Sequence, residues 1–310
     1  MRTHTYRTVN VPVDGGYLRA GIWEPEAPAP LTQEPPVLAV HGITATHQGW
    51  LRLPALLPGR RIIAPDLRGR GRSNTLPGPY GMVRHAADLT ALVRYLGVTE
   101  VTALGHSMGA FVVVVLQDRQ PHLVRDMVLV DGGLPLEIPA DADPDLLMRA
   151  VLGPALQRLR MTFPDQEAYR DFWSGHPAFS PGLVAELAPY FDYDLEPDGD
   201  GWRPTSAVEA VAADQRELVT GDLVHRALAH LATPTTFVHA PRGLLDDAPL
   251  YRPEHVRAWA ERLPCLTMEW ADDVNHYTVV MSAAGARLVA AHLAGRPAAD
   301  PTMTTEGVRR

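Results

Sequence analysis

Apolar and polar residues alternate over Tyr6 to Val13 and again over Gly16 to Glu24, and Asp14-Gly15-Gly16 between them is turn chemistry, so the two stretches predict a β-hairpin. The later apolar runs are short and continuous: Val37 to Gly42, Arg61 to Asp66, Val101 to His106, Met127 to Gly133, Thr235 to Ala240 and Leu266 to Trp270. Strands that are apolar on both faces belong in a parallel sheet covered by helices on both sides. Helix-period patterns fill the gaps at Gly81 to Gly97, after Ser107, at Arg252 to Leu263 and at Ala283 to Gly295. The expected fold is therefore α/β, a mostly parallel eight-stranded sheet with helices on both faces.

One gap is too long for a crossover. From residue 134 to 231 run short helix patterns punctuated by Pro144, Pro154, Pro164, Pro177, Pro181 and Pro189. Aromatics are scattered through the same stretch: Phe163, Phe172, Trp173, Phe179, Tyr190, Phe191 and Tyr193. Structureless loops of that length are uncommon in compact domains, so the segment is expected to be an inserted helical lid. The core would then comprise residues 1–133 and 232–295, and residues 296–310 a frayed tail. Phe172, Trp173, Phe179 and Tyr190 are candidates for the walls of an apolar pocket, with an equal expectation that such rings only hold the lid together. The proline-rich Glu24 to Pro36 reads as a surface connection, and no internal repeat is present.

The chain has 310 residues, 46% of them hydrophobic, and a formal net charge of −8 without blocks of one sign. That composition supports a large buried core and offers no basic stripe for nucleic acid and no polybasic run for an anionic membrane. The first residues lack an apolar signal core, and no run approaches the roughly 18 apolar residues of a membrane span, so a cytoplasmic address and a small-molecule substrate are expected. Oligomeric state is left open. Cys265, the single cysteine, has no internal disulfide partner and reads as a packed strand residue.

The candidate chemistry starts at Gly105-His106-Ser107-Met108-Gly109, a G-x-S-x-G between an apolar strand and an apolar helix. In that context the glycines permit a sharp turn that lifts the serine hydroxyl above the sheet, the geometry of a nucleophile. A serine hydroxyl is weak at neutral pH and needs a base, for which an imidazole is suited. No H-E-x-x-H or paired Cys/His spacing suggests a metal, and no cofactor is called for.

With these residues the sequence resembles the α/β-hydrolase family over about residues 5 to 295. Val40-His41-Gly42-Ile43-Thr44-Ala45 is similar to the family's histidine-glycine turn, which implies that the backbone amide of Ile43 forms half of an oxyanion hole, with that of Met108 as the other half. Ala64 to Asn74 looks like the loop after the fourth strand, and Asp272 to Val280 like the loop that delivers the catalytic histidine, here His276. His276 follows Ser107 in the serine, acid, histidine order of this fold. The resemblance places the acid after the seventh strand, where Ala240 to Tyr251 offers Asp246 first and Asp247 second. Asp131, at the end of Met127 to Gly133, is the alternative, because some members carry the acid after the sixth strand. His41, His106 and His239 are expected to pack around the site rather than to transfer protons.

What this implies is a carboxylesterase-like serine hydrolase acting on an ester, lactone or thioester of a small to medium apolar acid through an acyl-enzyme. The same scaffold also supports cofactor-free lyases or oxygenases that use the histidine and acid as a base dyad, and ligand-sensing modules.

Overall fold

The computed structural model describes residues 3–26, 34–137, 155–220 and 222–294. In chain order the strands are β1 (His4–Val13), β2 (Gly16–Pro25), β3 (Val37–Val40), β4 (Ile62–Pro65), β5 (Val101–His106), β6 (Val124–Val130), β7 (Leu195–Asp198), β8 (Gly201–Pro204), β9 (Thr235–His239) and β10 (Leu266–Trp270). Eight of them form one sheet in the order β1-β2-β4-β3-β5-β6-β9-β10. The hairpin pairs Val13 with Gly16, so Asp14-Gly15 alone make the turn, and Gly15 takes φ 89°, a left-handed conformation open to glycine without strain. β2 meets β4 antiparallel, and every pairing from β4 to β10 is parallel.

The continuous apolar runs bury both faces, and the period of two divides them between two cores. Leu38 and Val40, Ile63, Ala103, Met127 and Leu129 face one cluster; Val37 and Ala39, Ile62 and Ala64, Leu104, Val128 and Val130 face the other. The helices on the described residues are α1 (Leu53–Leu56), α2 (Met82–Tyr95), α3 (Met108–Arg119), α4 (Gln166–Ser174), α5 (Pro181–Glu186), α6 (Ala188–Tyr193), α7 (Val208–Thr220), α8 (Leu223–Leu228), α9 (Pro253–Arg262), α10 (Thr278–Met281) and α11 (Ala283–Leu293). Residues of α2, α3, α8 and α9 fill the first core, and those of α10, α11 and the aromatic insert fill the second.

α3 carries four consecutive valines, which alone would favour a strand. It is helical because Met108 through Gln117 are all buried between the sheet, α2 and α8, and packing overrides the propensity. Its N-terminus abuts the carboxyl end of β5. The chain passes from β3 outward to β4 and then crosses to β5 on the opposite side of β3, so the ends of β3 and β5 flank the switch point where open α/β sheets build their sites.

Between β6 and β9 the described chain holds α4 to α8 and a separate hairpin of β7 and β8. Residues 138–154, with Pro144 and Pro154, lie outside the described residues, as does the expected tail from 296 to 310. The hairpin departs from the all-helical expectation. Its strands have four residues each with no clear alternation, and its signal was the Asp198-Gly199-Asp200-Gly201 turn. Asp165 and Ser180 cap α4 and α5 through their side chains, and Pro181 opens α5 where a missing N–H costs nothing. The insert is tied down by Asp66 at the end of β4. One carboxylate oxygen accepts from the His47 backbone N–H (3.0 Å) and Nδ1 (2.7 Å), the other from the Arg72 N–H (2.9 Å) and the Tyr193 hydroxyl (2.7 Å). No helix among the described residues is long and apolar enough to cross a membrane.

Candidate active site

Ser107 sits between β5 and α3 at φ 53°, ψ −125°, a backbone state that costs a non-glycine residue of order 1–3 kcal/mol and persists only where the surroundings enforce it. They do so by close approach. A Cβ on Gly105 would lie 2.4 Å from the Ala110 Cα, one on Gly109 would lie 2.1 Å from the Val40 carbonyl oxygen, and one on Gly132 would lie 2.2 Å from the Ser107 carbonyl oxygen. The Ser107 N–H donates to the Val130 carbonyl at 2.9 Å, continuing the β5/β6 ladder into the turn. The serine side chain is left facing a cavity of about 30 Å³, enough for a water or two.

His276 lines the same cavity from the loop between β10 and α10. Its Nδ1 is 2.6 Å from Asp131 Oδ2, both side chains being buried. Asp131 ends β6 at φ 45°, its N–H bonded to the Val238 carbonyl (2.9 Å), and its second oxygen accepts from the Ala240 N–H at 3.3 Å. A buried carboxylate needs that many partners. The backbone of His276 is held in turn by His106, whose Nε2 donates to the His276 carbonyl at 2.7 Å. Burial and the neighbouring His276 push the His106 imidazole well below its ordinary pKa, so it remains neutral.

The structure does not pair His276 with the expected carboxylate. Asp246 does not reach His276: it is exposed, accepts from Arg242 Nε (2.7 Å) and Asn275 Nδ2 (2.9 Å), and its carboxyl is held below the usual range by the Asn275 hydrogen bond, with Arg242 adding to it. Asp247 is exposed beside it. The loop after β9 points these carboxylates at solvent and at the flank of the histidine loop, while the end of β6 brings Asp131 under the imidazole.

Ile43 lines the cavity together with Gly42, Thr44 and Ala45. Met108 is the first residue of α3, so its N–H has no partner within the helix and sits at the positive end of the helix dipole. His41 fixes the turn from beneath. The Leu67 N–H donates to its Nε2 (3.0 Å), so the proton sits on Nδ1, which donates to the Gly42 carbonyl (2.8 Å). Because a trans peptide points its C=O and N–H in opposite directions, holding the Gly42 carbonyl also sets the direction of the Ile43 N–H. Burial lowers the His41 pKa to about 4, which keeps that tautomer in place.

Of the candidate walls, Trp173, Phe179 and Tyr190 line the cavity; Phe172 does not, packing instead against Phe163 and Trp173 with ring centroids 5.8 and 5.9 Å apart. It is half-buried and packs against the second core.

A sequence profile of the alpha/beta hydrolase fold matches residues 35–280. The chain belongs to the alpha/beta-hydrolase family. It is similar to lipase LipV of Mycobacterium tuberculosis, 37% identical over 101 residues, which are 33% of this chain and 38% of that protein. It is similar also to the bifunctional esterase/perhydrolase DCH of Acinetobacter calcoaceticus, 33% identical over 120 residues, 38% of this chain and 44% of that protein. The matched stretches thus span less than half the length of these curated relatives. Among solved structures, E-2-(acetamidomethylene)succinate hydrolase superposes with TM-score 0.73 at 22% identity, over 93% of this chain and 98% of its own. The thioesterase domain from the curacin biosynthetic pathway superposes with TM-score 0.70 at 22% identity, over 93% and 99%. At such identity both speak to the fold alone.

Several lining residues of this α/β-hydrolase escaped the sequence reading. Tyr277 follows His276 directly, and its place beside the candidate histidine was a usable signal; Leu244 and Met281 reach the cavity from the loop after β9 and from α10, where nothing in the sequence marked them. Among the described residues no group of three or more His, Cys, Asp or Glu side chains is disposed to hold a metal.

Proposed function

We propose that this α/β-hydrolase cleaves a carboxylic ester or thioester of a small apolar acid by a serine mechanism. The observation that carries the reading is the buried His276–Asp131 pair, 2.6 Å apart, whose imidazole lines the same small cavity as a strained Ser107. His276 Nδ1–H donates to Asp131, which leaves Nε2 free to take the Ser107 proton as Oγ attacks the carbonyl carbon. The tetrahedral oxyanion would be met by the amides of Ile43 and Met108. Collapse expels the leaving alcohol or thiol, protonated by His276, and leaves acyl-Ser107. Water, deprotonated by the same imidazole, then releases the acid and restores the serine. Asp131 stabilises the imidazolium at each stage and holds the tautomer, which is why its burial matters.

The lipase and esterase relatives support ester chemistry, and the cavity of about 30 Å³ among Ile43, Ala45, Trp173 and Phe179 supports a short acyl group. The test is labelling by a fluorophosphonate probe together with turnover of p-nitrophenyl esters of increasing chain length. Ser107→Ala is expected to abolish labelling and to lower kcat by about 10⁶-fold. Labelling that survives the substitution would sink the reading, as would a wild-type protein inert to every short ester.

A further inference from the structure

Three consecutive carbonyls of the turn after β3 are each held by a buried side chain. His41 holds that of Gly42; Arg70 Nε donates to that of Ile43 at 2.9 Å, and Arg158 Nη2 to that of Thr44 at 2.8 Å. Both arginines are wholly buried, which is rare for a guanidinium unless it is paired. Both are paired with aspartates from the segment between β6 and β9: Arg70 with Asp214 on α7, and Arg158 with Asp194, 3.3 Å away. Those carboxylates are themselves anchored. Asp214 accepts from the Gly81 N–H (2.7 Å) and His85 Nε2 (2.9 Å), and Asp194 from the Tyr169 hydroxyl and from Thr205 Oγ1 (3.1 Å). Arg70 Nη2 also lies 3.9 Å from the Met108 side-chain Sδ. Arg158 lies over the Trp173 ring, 5.1 Å from its centroid, behind the cavity wall.

We propose that Arg70 and Arg158 are positioning residues of the oxyanion turn, and that through Asp214 and Asp194 they make its geometry depend on the seating of the insert. Holding the Ile43 and Thr44 carbonyls fixes the two peptide planes that follow the Ile43 amide, and so limits how far that amide can rotate from the cavity. An insert shifted from its seat would move the aspartates, and with them the guanidinium groups. The turn would lose its hold where the charge develops, and the loss would fall on the transition state rather than on substrate binding. This inference rests on the serine-hydrolase reading.

The test uses charge-balanced double variants, since removing one partner alone would bury a lone charge. Arg158→Gln with Asp194→Asn, and Arg70→Gln with Asp214→Asn, are assayed with p-nitrophenyl acetate and with an aryl trifluoromethyl ketone, whose Ser107 adduct places an oxyanion at the turn. Each pair is expected to lower kcat by about 10- to 100-fold, the scale of a small misplacement at a reacting centre, with KM within about threefold of wild type. The ketone Ki should rise by the factor by which kcat/KM falls. Lower melting temperatures with wild-type kcat, KM and Ki would overturn the inference and leave the residues as structural. Should a double variant not fold, Arg158→Lys decides, because one ammonium group cannot hold both Thr44 and Asp194 as the guanidinium does. A kcat several-fold lower with Ki raised in step supports the inference, and unchanged values overturn it. A wild-type protein that is not labelled at Ser107 by the fluorophosphonate overturns the hydrolase reading and this inference together, whereas normal labelling with unaffected variants overturns this inference alone.

Discussion

Asp131 and Asp246 each follow a strand of the sheet, each at positive φ, 45° and 62° respectively, and each lies close in space to the loop that carries His276. Their surroundings differ in every other respect. Asp131 has 0% of its surface exposed and is bonded to an imidazole and a backbone N–H, with Gly132 behind it pressed against the Ser107 carbonyl. Asp246 lies at the surface between Arg242 and Asn275, and Arg242 is shared with the fully solvated Asp273. A carboxylate stabilises an imidazolium effectively where water does not compete, and a surface ion pair is worth roughly 0–1 kcal/mol. The loop after β9 therefore shapes the site through Asn275. That side chain donates to Asp246 and to the Ala178 carbonyl of the insert, and its oxygen accepts the N–H groups of Tyr277 and Thr278 beside the histidine.

The sharpest way to break this contrast is Asp131→Asn, expected to lower kcat/KM for a short ester by up to about 10⁴-fold, as loss of the tautomer-fixing carboxylate does. A loss of less than tenfold would return the acid to the loop after β9. Asn275→Ala comes next. It cuts the histidine loop from both the insert and Asp246, and kcat is expected to fall by about 10- to 100-fold through a misplaced imidazole; wild-type kinetics would show that the loop holds its shape without it. The smallest effect belongs to Asp246→Asn, with kcat/KM within about threefold of wild type. Its consequence is for stability and has a definite sign. The folded state holds the Asp246 carboxyl below its ordinary pKa, so its contribution is present above about pH 4 and is lost as pH falls through the folded value. Wild type should thus exceed Asp246→Asn by less than about 1 kcal/mol in urea melts at pH 7, with the two curves converging toward pH 3. A gap that widens on acidification would contradict the assigned shift.

All eight strands of the large sheet were legible, the first two from the alternation around their turn and the others from short apolar runs, and so was the elbow, whose glycines are demanded by contacts of 2.4 Å or less. The β7/β8 hairpin was not, since four-residue strands with exposed ends carry almost no pattern. Nor was the acid settled. Asp131 follows β6 while Asp246 and Asp247 share the loop after β9, and what separates them is which of the two places lies against the His276 side chain, an arrangement across strands that local sequence does not encode. Arg70 and Arg158 were hidden for a related reason: arginine reads as surface, and only the partners Asp214 and Asp194, 144 and 36 residues further along, make their burial tolerable.

The enclosure of α3 bears on how the molecule breathes. Amides exchange with solvent according to the free energy of the opening that exposes them, and segments with the most buried contacts open last. From Met108 to Gln117 every residue of α3 is buried, and the β5 strand before it is buried throughout. In native-state hydrogen exchange the amides from Val101 to Gln117 are expected to form the slowest set, exchanging only by global unfolding. The β7/β8 hairpin, with its exposed turn, should exchange through small local openings. The serine then rides on the part of the protein that is last to let go, and its backbone strain is released only when the whole fold is lost.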